Sequence, residues 1–168
     1  MQAVRGDLRV GDFLDLPPEI RSPGQSLLVF VRHTGCPFAE RDIKRARAWA
    51  AENPEVQVIV VTHGDEGLRD TWVADIGGAE GLTLYHDPER CLYGQAGLGF
   101  SAASHFMGFP SLLGVMRLWR EGTRNRSASG TRWQRAGVLL LKDGKLVWRN
   151  IPESAEGFRL PQKSSCGK

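Results

Sequence analysis

Two short apolar runs separated by a long amphipathic stretch constrain this chain more than any other feature of its sequence. Residues 26–32 (SLLVFVR) and 56–61 (VQVIVV) are apolar at nearly every position and rich in β-branched residues. Such runs mark strands buried on both faces rather than on one. Between them, residues 38–52 (FAERDIKRARAWAAE) are strong helix formers. Phe38, Ile43, Ala46, Trp49 and Ala50 form one face, with charges on the other. Pro37 suits the first helical turn, where its missing N–H is no loss, and Asn53-Pro54 stops the helix.

The alternation continues downstream. Residues 66–76 read as a second helix, stopped by Gly77-Gly78, and 82–85 as a short strand. Asp87 is placed to cap a helix over 88–96, with Gly97 ending it. A further helix is expected over 110–121. Residues 135–141 and 145–148 read as strands joined by the Lys142-Asp143-Gly144 turn, a hairpin signal. Strands that alternate with helices give a largely parallel sheet covered on both faces. The closing hairpin adds an antiparallel edge. The expected class is therefore α/β, a mixed sheet flanked by helices, with a helical or loop insertion before the last hairpin.

The 168 residues suffice for one domain with a real core. We expect that domain over residues 1–161 and a flexible C-terminal tail over 162–168. The net charge of +3 is too small to mark a nucleic-acid binder. No apolar run approaches the length of a membrane span, and residues 1–12 lack the apolar core of a secretory signal. A soluble, cytoplasmic protein is expected. The three cysteines, Cys36, Cys91 and Cys166, form no zinc-type CxxC pair and no even disulfide set, so reduced thiols and no metal or cofactor are expected.

The chemistry concentrates where the first strand gives way to the first helix, at Arg32-His33-Thr34-Gly35-Cys36-Pro37-Phe38. The carboxyl ends of strands in an open parallel sheet are where sites form. A cysteine just before a helix meets unpaired backbone N–H groups and the positive end of the helix dipole. Both favour the thiolate, so the Cys36 pKa is expected to fall below about 8.5. The competing reading is a small buried core residue. Arg32 and His33 are close enough in sequence to assist.

Gly35-Cys36-Pro37-Phe38 after an apolar strand resembles the peroxiredoxin-like family, also called alkyl hydroperoxide reductase and thiol-specific antioxidant proteins, of the thioredoxin-like superfamily. More narrowly it resembles the GCPF branch, without the second cysteine of CxxC. Val10-Gly11-Asp12-Phe13 with Leu16-Pro17 is similar to the family's opening stretch. Asp87-Pro88-Glu89-Arg90, Leu92-Tyr93 and Gly97-Leu98 resemble its DPER helix, and residues 135–144 (RAGVLLLKDG) its arginine-bearing strand and hairpin. The resemblance implies a thioredoxin-like fold and a thiol-dependent peroxidase. In that reading Cys36 attacks the peroxide O–O bond and becomes a sulfenic acid. Thr34 and Arg135 match the family's hydroxyl and arginine, with His33, Arg32, Pro37 and Trp133 behind them. The implied partners are hydrogen peroxide or an organic hydroperoxide, an external thiol reductant of the thioredoxin, glutaredoxin or glutathione type, and a second copy in a homodimer. Nucleic acid and membrane are not expected.

Two departures bear on this. Thr34 stands two residues before Cys36 where the family has three, and adjacent extended residues face opposite sides. Ala39 occupies the place of the second cysteine, so exchange between neighbouring sulfurs is excluded. Trp133-Gln134 also lack the proline that thioredoxins place opposite their redox pair. Cys166 is a candidate resolving thiol on the tail, and Cys91, beside Leu92 and Tyr93, reads as a packed residue. His63 follows the end of the second strand and reads either as a supporting residue behind the site at the same sheet edge or, by default, as a surface loop residue. The glycine-rich stretch 94–108 is no dinucleotide fingerprint. Phe100, Phe106, Met107 and Phe109 form an apolar cluster beside it. Arg117, Arg120, Arg124, Arg126, Arg132 and Arg135 form a basic run able to hold carboxylates. Two other functions stay open: a small-molecule transformation of the secondary-metabolite type using Cys36 with His33 and Arg135, suggested by the insertion over 97–134, and a non-catalytic thioredoxin-like binding protein.

Overall fold

The computed structural model describes residues 4–6, 8–100, 116–117, 119–120, 128–153 and 156–162. Strands β1 (Gln25–Phe30), β2 (Val56–Thr62) and β3 (Thr83–His86) run parallel, and β4 (Gly137–Lys142) and β5 (Lys145–Asn150) close the sheet antiparallel. The order across the sheet is β3-β2-β1-β4-β5. Helix α1 (Pro37–Glu52) joins β1 to β2, α2 (Glu66–Asp75) joins β2 to β3, and α3 (Cys91–Gln95) follows β3. This is the α/β layout that the alternating pattern predicts.

The side-chain period of two splits the central strands between two cores. On one face Leu27, Val29, Val58, Val60, Val138 and Leu140 meet Ile43, Ala46 and Trp49 of α1 and Trp72 and Val73 of α2. On the other, Leu28, Phe30, Ile59, Val61, Leu139 and Leu141 meet Leu92 and Tyr93 of α3 and Leu8, Leu14 and Leu16 of the N-terminal segment. Burial on both sides explains why β1, β2 and β4 read as unbroken apolar runs. The α1 face expected from the sequence is the buried one, and Asn53 finishes that helix by donating from Nδ2 to Trp49 O at 2.7 Å. The β4–β5 turn has Asp143 and Gly144 at φ 51° and 79°, the left-handed pair that suits a two-residue hairpin.

Two expectations shift. α3 starts at Cys91, not at 88. Arg90 preceding it is left-handed (φ 57°), so residues 88–90 turn instead of continuing the helix. Asp87 still serves this helix, its carboxylate accepting from the amides of Cys91, Leu92 and Tyr93. Cys91 is exposed, not packed, because Leu92 and Tyr93 take the inner face. Of the helix expected over 110–121, Met116, Arg117, Trp119 and Arg120 are described; they are helical. Phe106, Met107, Phe109, Arg124, Arg126 and Cys166 lie outside the described residues. Among the described residues no helix is long and apolar enough to cross a membrane.

Candidate active site

The segments after β1, β2 and β3 converge at one end of the sheet. Cys36 is the N-cap of α1, extended at φ −77° and ψ 130°, and its carbonyl accepts the first helical bond from Glu40 N at 3.0 Å. Pro37 follows at the first helical position. The amides of Phe38 and Ala39 turn toward the Cys36 sulfur, and the cation acting on it is Arg32. The N-cap placement, the amides and the nearby cation are what the sequence predicts.

The direction of the pKa is not. Cys36 is 4% exposed, and burial pushes its thiol up from the ordinary value, more strongly than Arg32 and the two amides pull it down. Asp42, on the same helix, pushes it up further. Desolvation disfavours the charged form wherever it is not matched by stronger fixed charge. The expected fall is thus replaced by a rise, and the resting sulfur is a thiol held among groups that favour its ionisation.

Thr34 is 1% exposed, and among the described residues its Oγ1 has no hydrogen-bond partner. Its carbonyl is used instead, accepting from His33 Nδ1–H at 2.8 Å and from Ser129 N at 3.4 Å. A buried hydroxyl left without a partner is uncommon in folded proteins. His33 is buried, and its pKa is lowered to about 4, first by desolvation and then by the charges of Arg32 and Arg132 and by His63, against the help of Thr34 O. Its imidazole is neutral, with the proton on Nδ1.

Of the two readings of His63, the surface loop is excluded, because its side chain is buried. Its Nε2–H donates to Arg32 O at 2.5 Å, and burial lowers its pKa. Gly130 lies directly against its ring, so that a Cβ there would fall 2.7 Å from Cε1. Ser129 Oγ accepts from Asp65 N at 2.6 Å, so the 129–130 segment is fastened to the ends of both β1 and β2. Tyr93 is fully buried. Its hydroxyl lies 2.6 Å from Val31 O and 2.8 Å from Val61 O, donating across the gap between the two strand ends just before Arg32 and Thr62.

Asp42 and its neighbours belong to no motif of the sequence. Asp42 is 6% exposed, with Oδ1 at 2.9 Å from Arg41 Nε and 2.8 Å from Arg41 Nη2; Arg41 Nη1 continues to Glu156 Oε2 at 2.8 Å. Burial raises the Asp42 pKa to about 7, against the pull of Arg41 and Arg45. The signal was present: Asp42 stands four residues after Phe38 and four before Ala46, on the apolar stripe of α1.

Cys36, Thr34, Arg32, His33 and Pro37 are thus gathered at one place. Trp133 is half exposed, at 49%. Arg135 lies elsewhere: its amide bonds Gly99 O at 3.1 Å, and it lines a cavity with Arg5, Leu8, Gly97 and Arg149 on the sheet face opposite α1. The backbone is drawn there by Gln134, which pairs with Phe100 and donates from Nε2 to Leu98 O at 2.7 Å. Among the described residues no three His, Cys, Asp or Glu side chains gather as a metal ligand set.

A family model described as AhpC/TSA antioxidant enzyme matches residues 43–154. Among solved structures, the fold is similar to peroxiredoxin 5 from Alvinella pompejana, at 13% identity and a TM-score of 0.56, covering 89% of this chain and 95% of that one. It is also similar to a peroxiredoxin-like protein from Aquifex aeolicus, at 14% identity and a TM-score of 0.54, covering 90% of this chain and 81% of that one. At these identities the likeness concerns the thioredoxin-like fold. No curated protein sequence matches the chain.

Proposed function

The chain belongs to the AhpC/TSA antioxidant enzyme family, and from that premise we propose that it reduces a peroxide through the single sulfur of Cys36. The observation that carries this reading is the setting of Cys36: the N-cap of α1, with the Phe38 and Ala39 amides and the Arg32 guanidinium acting on its sulfur. These are the groups that stabilise a thiolate.

In the proposed reaction Cys36 ionises, releasing its proton to water. The sulfur attacks one peroxide oxygen. An S–O bond forms as the O–O bond breaks, and the departing oxygen takes a proton and leaves as water or an alcohol. Arg32 balances the negative charge on sulfur and then on oxygen, the role the resemblance assigned to Arg135. The Thr34 hydroxyl, which has no partner among the described residues, is available as a further donor. Cys36 is left as a sulfenic acid. A thiol of an external reductant condenses with it, losing water, and a second thiol displaces Cys36 while the reductant becomes a disulfide. Ala39 leaves no neighbouring sulfur to do this within the helix. The test is peroxide consumption with a thiol reductant present: Cys36→Ser abolishes it, whereas unchanged turnover in that variant refutes the reading.

A further inference from the structure

The cavity lined by Arg135 lies on the sheet face away from Cys36, and its chemistry is different. It has a volume of about 350 Å³ and is lined by Arg5, Leu8, Gly97, Arg135, Arg149 and Asn150, among others, with no carboxylate among its described lining residues. Arg5 pairs with Asp12 at 2.9 Å, outside the lining. The exposed Arg149 guanidinium donates to Leu8 O, a neutral carbonyl, and among the described residues it makes no ion pair. Arg135 is half-buried, and among the described residues its side chain has neither an ion pair nor a hydrogen bond. A half-buried guanidinium such as that of Arg135 is normally matched by an acid, because desolvated charge is costly alone.

A simpler reading would have these arginines cap the end of α3, which borders the cavity. The last-turn carbonyls are already taken. Leu92 O accepts from Ala96 N, Tyr93 O from Leu98 N, and Gly94 O from Gly97 N and Arg5 N. Gly97 sits at φ +72°, and a Cβ there would fall 2.8 Å from Arg5 O, so the wall is closely built at this point. What is left is a recess bordered by Arg135 and Arg149, with Arg5 already paired to Asp12, and the positive charge there attracts an incoming anion.

We propose that this cavity binds a small oxyanion, a phosphate or carboxylate group, with Arg135 and Arg149 as its charged forks. Guanidinium groups present paired N–H donors that fit both kinds of oxygen cluster. The assignment does not depend on Cys36 chemistry.

The test is calorimetric titration of the full chain with inorganic phosphate and, separately, with citrate, in buffer holding 0.15 M chloride. A saturable heat with either anion is expected. Arg149→Gln and Arg135→Gln should each weaken it by about 10-fold or more. Arg135→Lys, which keeps the charge but loses the fork, should weaken it less than Arg135→Gln. Arg149→Gln should leave the alkylation rate of Cys36 unchanged, and circular dichroism of each variant should match the parent. Binding by citrate alone assigns a carboxylate ligand, and binding by phosphate alone a phosphate. No saturable heat with either anion overturns the proposal, as does binding that survives both glutamine substitutions. Because the parent protein is titrated directly, a variant that fails to fold leaves the test intact.

Discussion

Replacing Asp42 with Asn should change how the protein's stability depends on pH. Asp42 is buried, and its carboxyl is raised from 3.8 to about 7, chiefly by desolvation. The charged or titratable groups acting on or through it are Arg41, Arg45 and Glu156, together with Arg32 and Cys36. Between 3.8 and about 7 the unfolded chain has released this proton while the folded chain retains it. Stability from Asp42 is therefore fully present below 3.8 and is lost as pH rises toward 7. At about 1.4 kcal/mol per pH unit, that interval is worth about 4 kcal/mol. His33 has the opposite sign. Its pKa is lowered from 6.5 to about 4, so the unfolded chain takes up a proton that the folded chain refuses, and about 3 kcal/mol is lost as pH falls from 6.5 to 4. His63 adds to the same side. In the parent these slopes largely cancel between pH 4 and 6.5. In Asp42→Asn only the histidine slope is left, so stability should climb by about 3 kcal/mol over that range. Urea unfolding at several pH values, followed by tryptophan fluorescence, measures both profiles. Parallel profiles for parent and variant would refute the assignment of a buried, proton-retaining Asp42. The same substitution should lower the Cys36 pKa, because it removes one of the groups that pushes it up.

Other perturbations follow from the same strand ends. Tyr93→Phe deletes the hydroxyl between Val31 O and Val61 O and should cost about 1–2 kcal/mol, a fall in Tm of about 2–8 °C for a chain of this size; a Tm equal to the parent's would show that bridge to be idle. Gly130→Ala puts a methyl group into the buried His63 ring at a φ of +82° and should cost about 2–5 kcal/mol by chemical unfolding. A variant as stable as the parent would mean that the 129–130 segment does not lie against His63.

The parts of this fold that are legible in the sequence are those decided by local pattern. β1 and β2 show as apolar runs because they are covered on both faces, and α1 shows as a stripe between Pro37 and Asn53. The hairpin shows in Asp143-Gly144 because a tight turn demands left-handed residues. The start of α3 is misplaced because Asp87 looks like an adjacent cap, whereas it reaches the helix across the turn made by the left-handed Arg90. At the site, the position of Cys36 follows from the strand-to-helix junction, but its burial does not. That depends on tertiary packing, since Cys36 belongs to an apolar cluster that also takes in Val60, Trp72 and Phe158. Arg135 lies away from Cys36 for a related reason. Continued β4 pairing would bring it level with Arg32, since Phe30 pairs with Gly137, but residues 134–135 leave β1 to pair with 99–100. Arg32 itself reads from the sequence as a supporting residue because strand alternation leaves its facing ambiguous just past the end of β1.

The chain carries its own control for the central claim, because Cys36 is buried and Cys91 is exposed. Alkylation of both thiols across a range of pH, with and without one equivalent of hydrogen peroxide, resolved by mass spectrometry, compares them within one molecule. The account predicts that peroxide converts Cys36 to a sulfenic acid ahead of Cys91, and that Arg32→Gln moves the pH midpoint of Cys36 alkylation upward while leaving Cys91 unchanged. Oxidation confined to Cys91, with Cys36 inert at every pH, would contradict it.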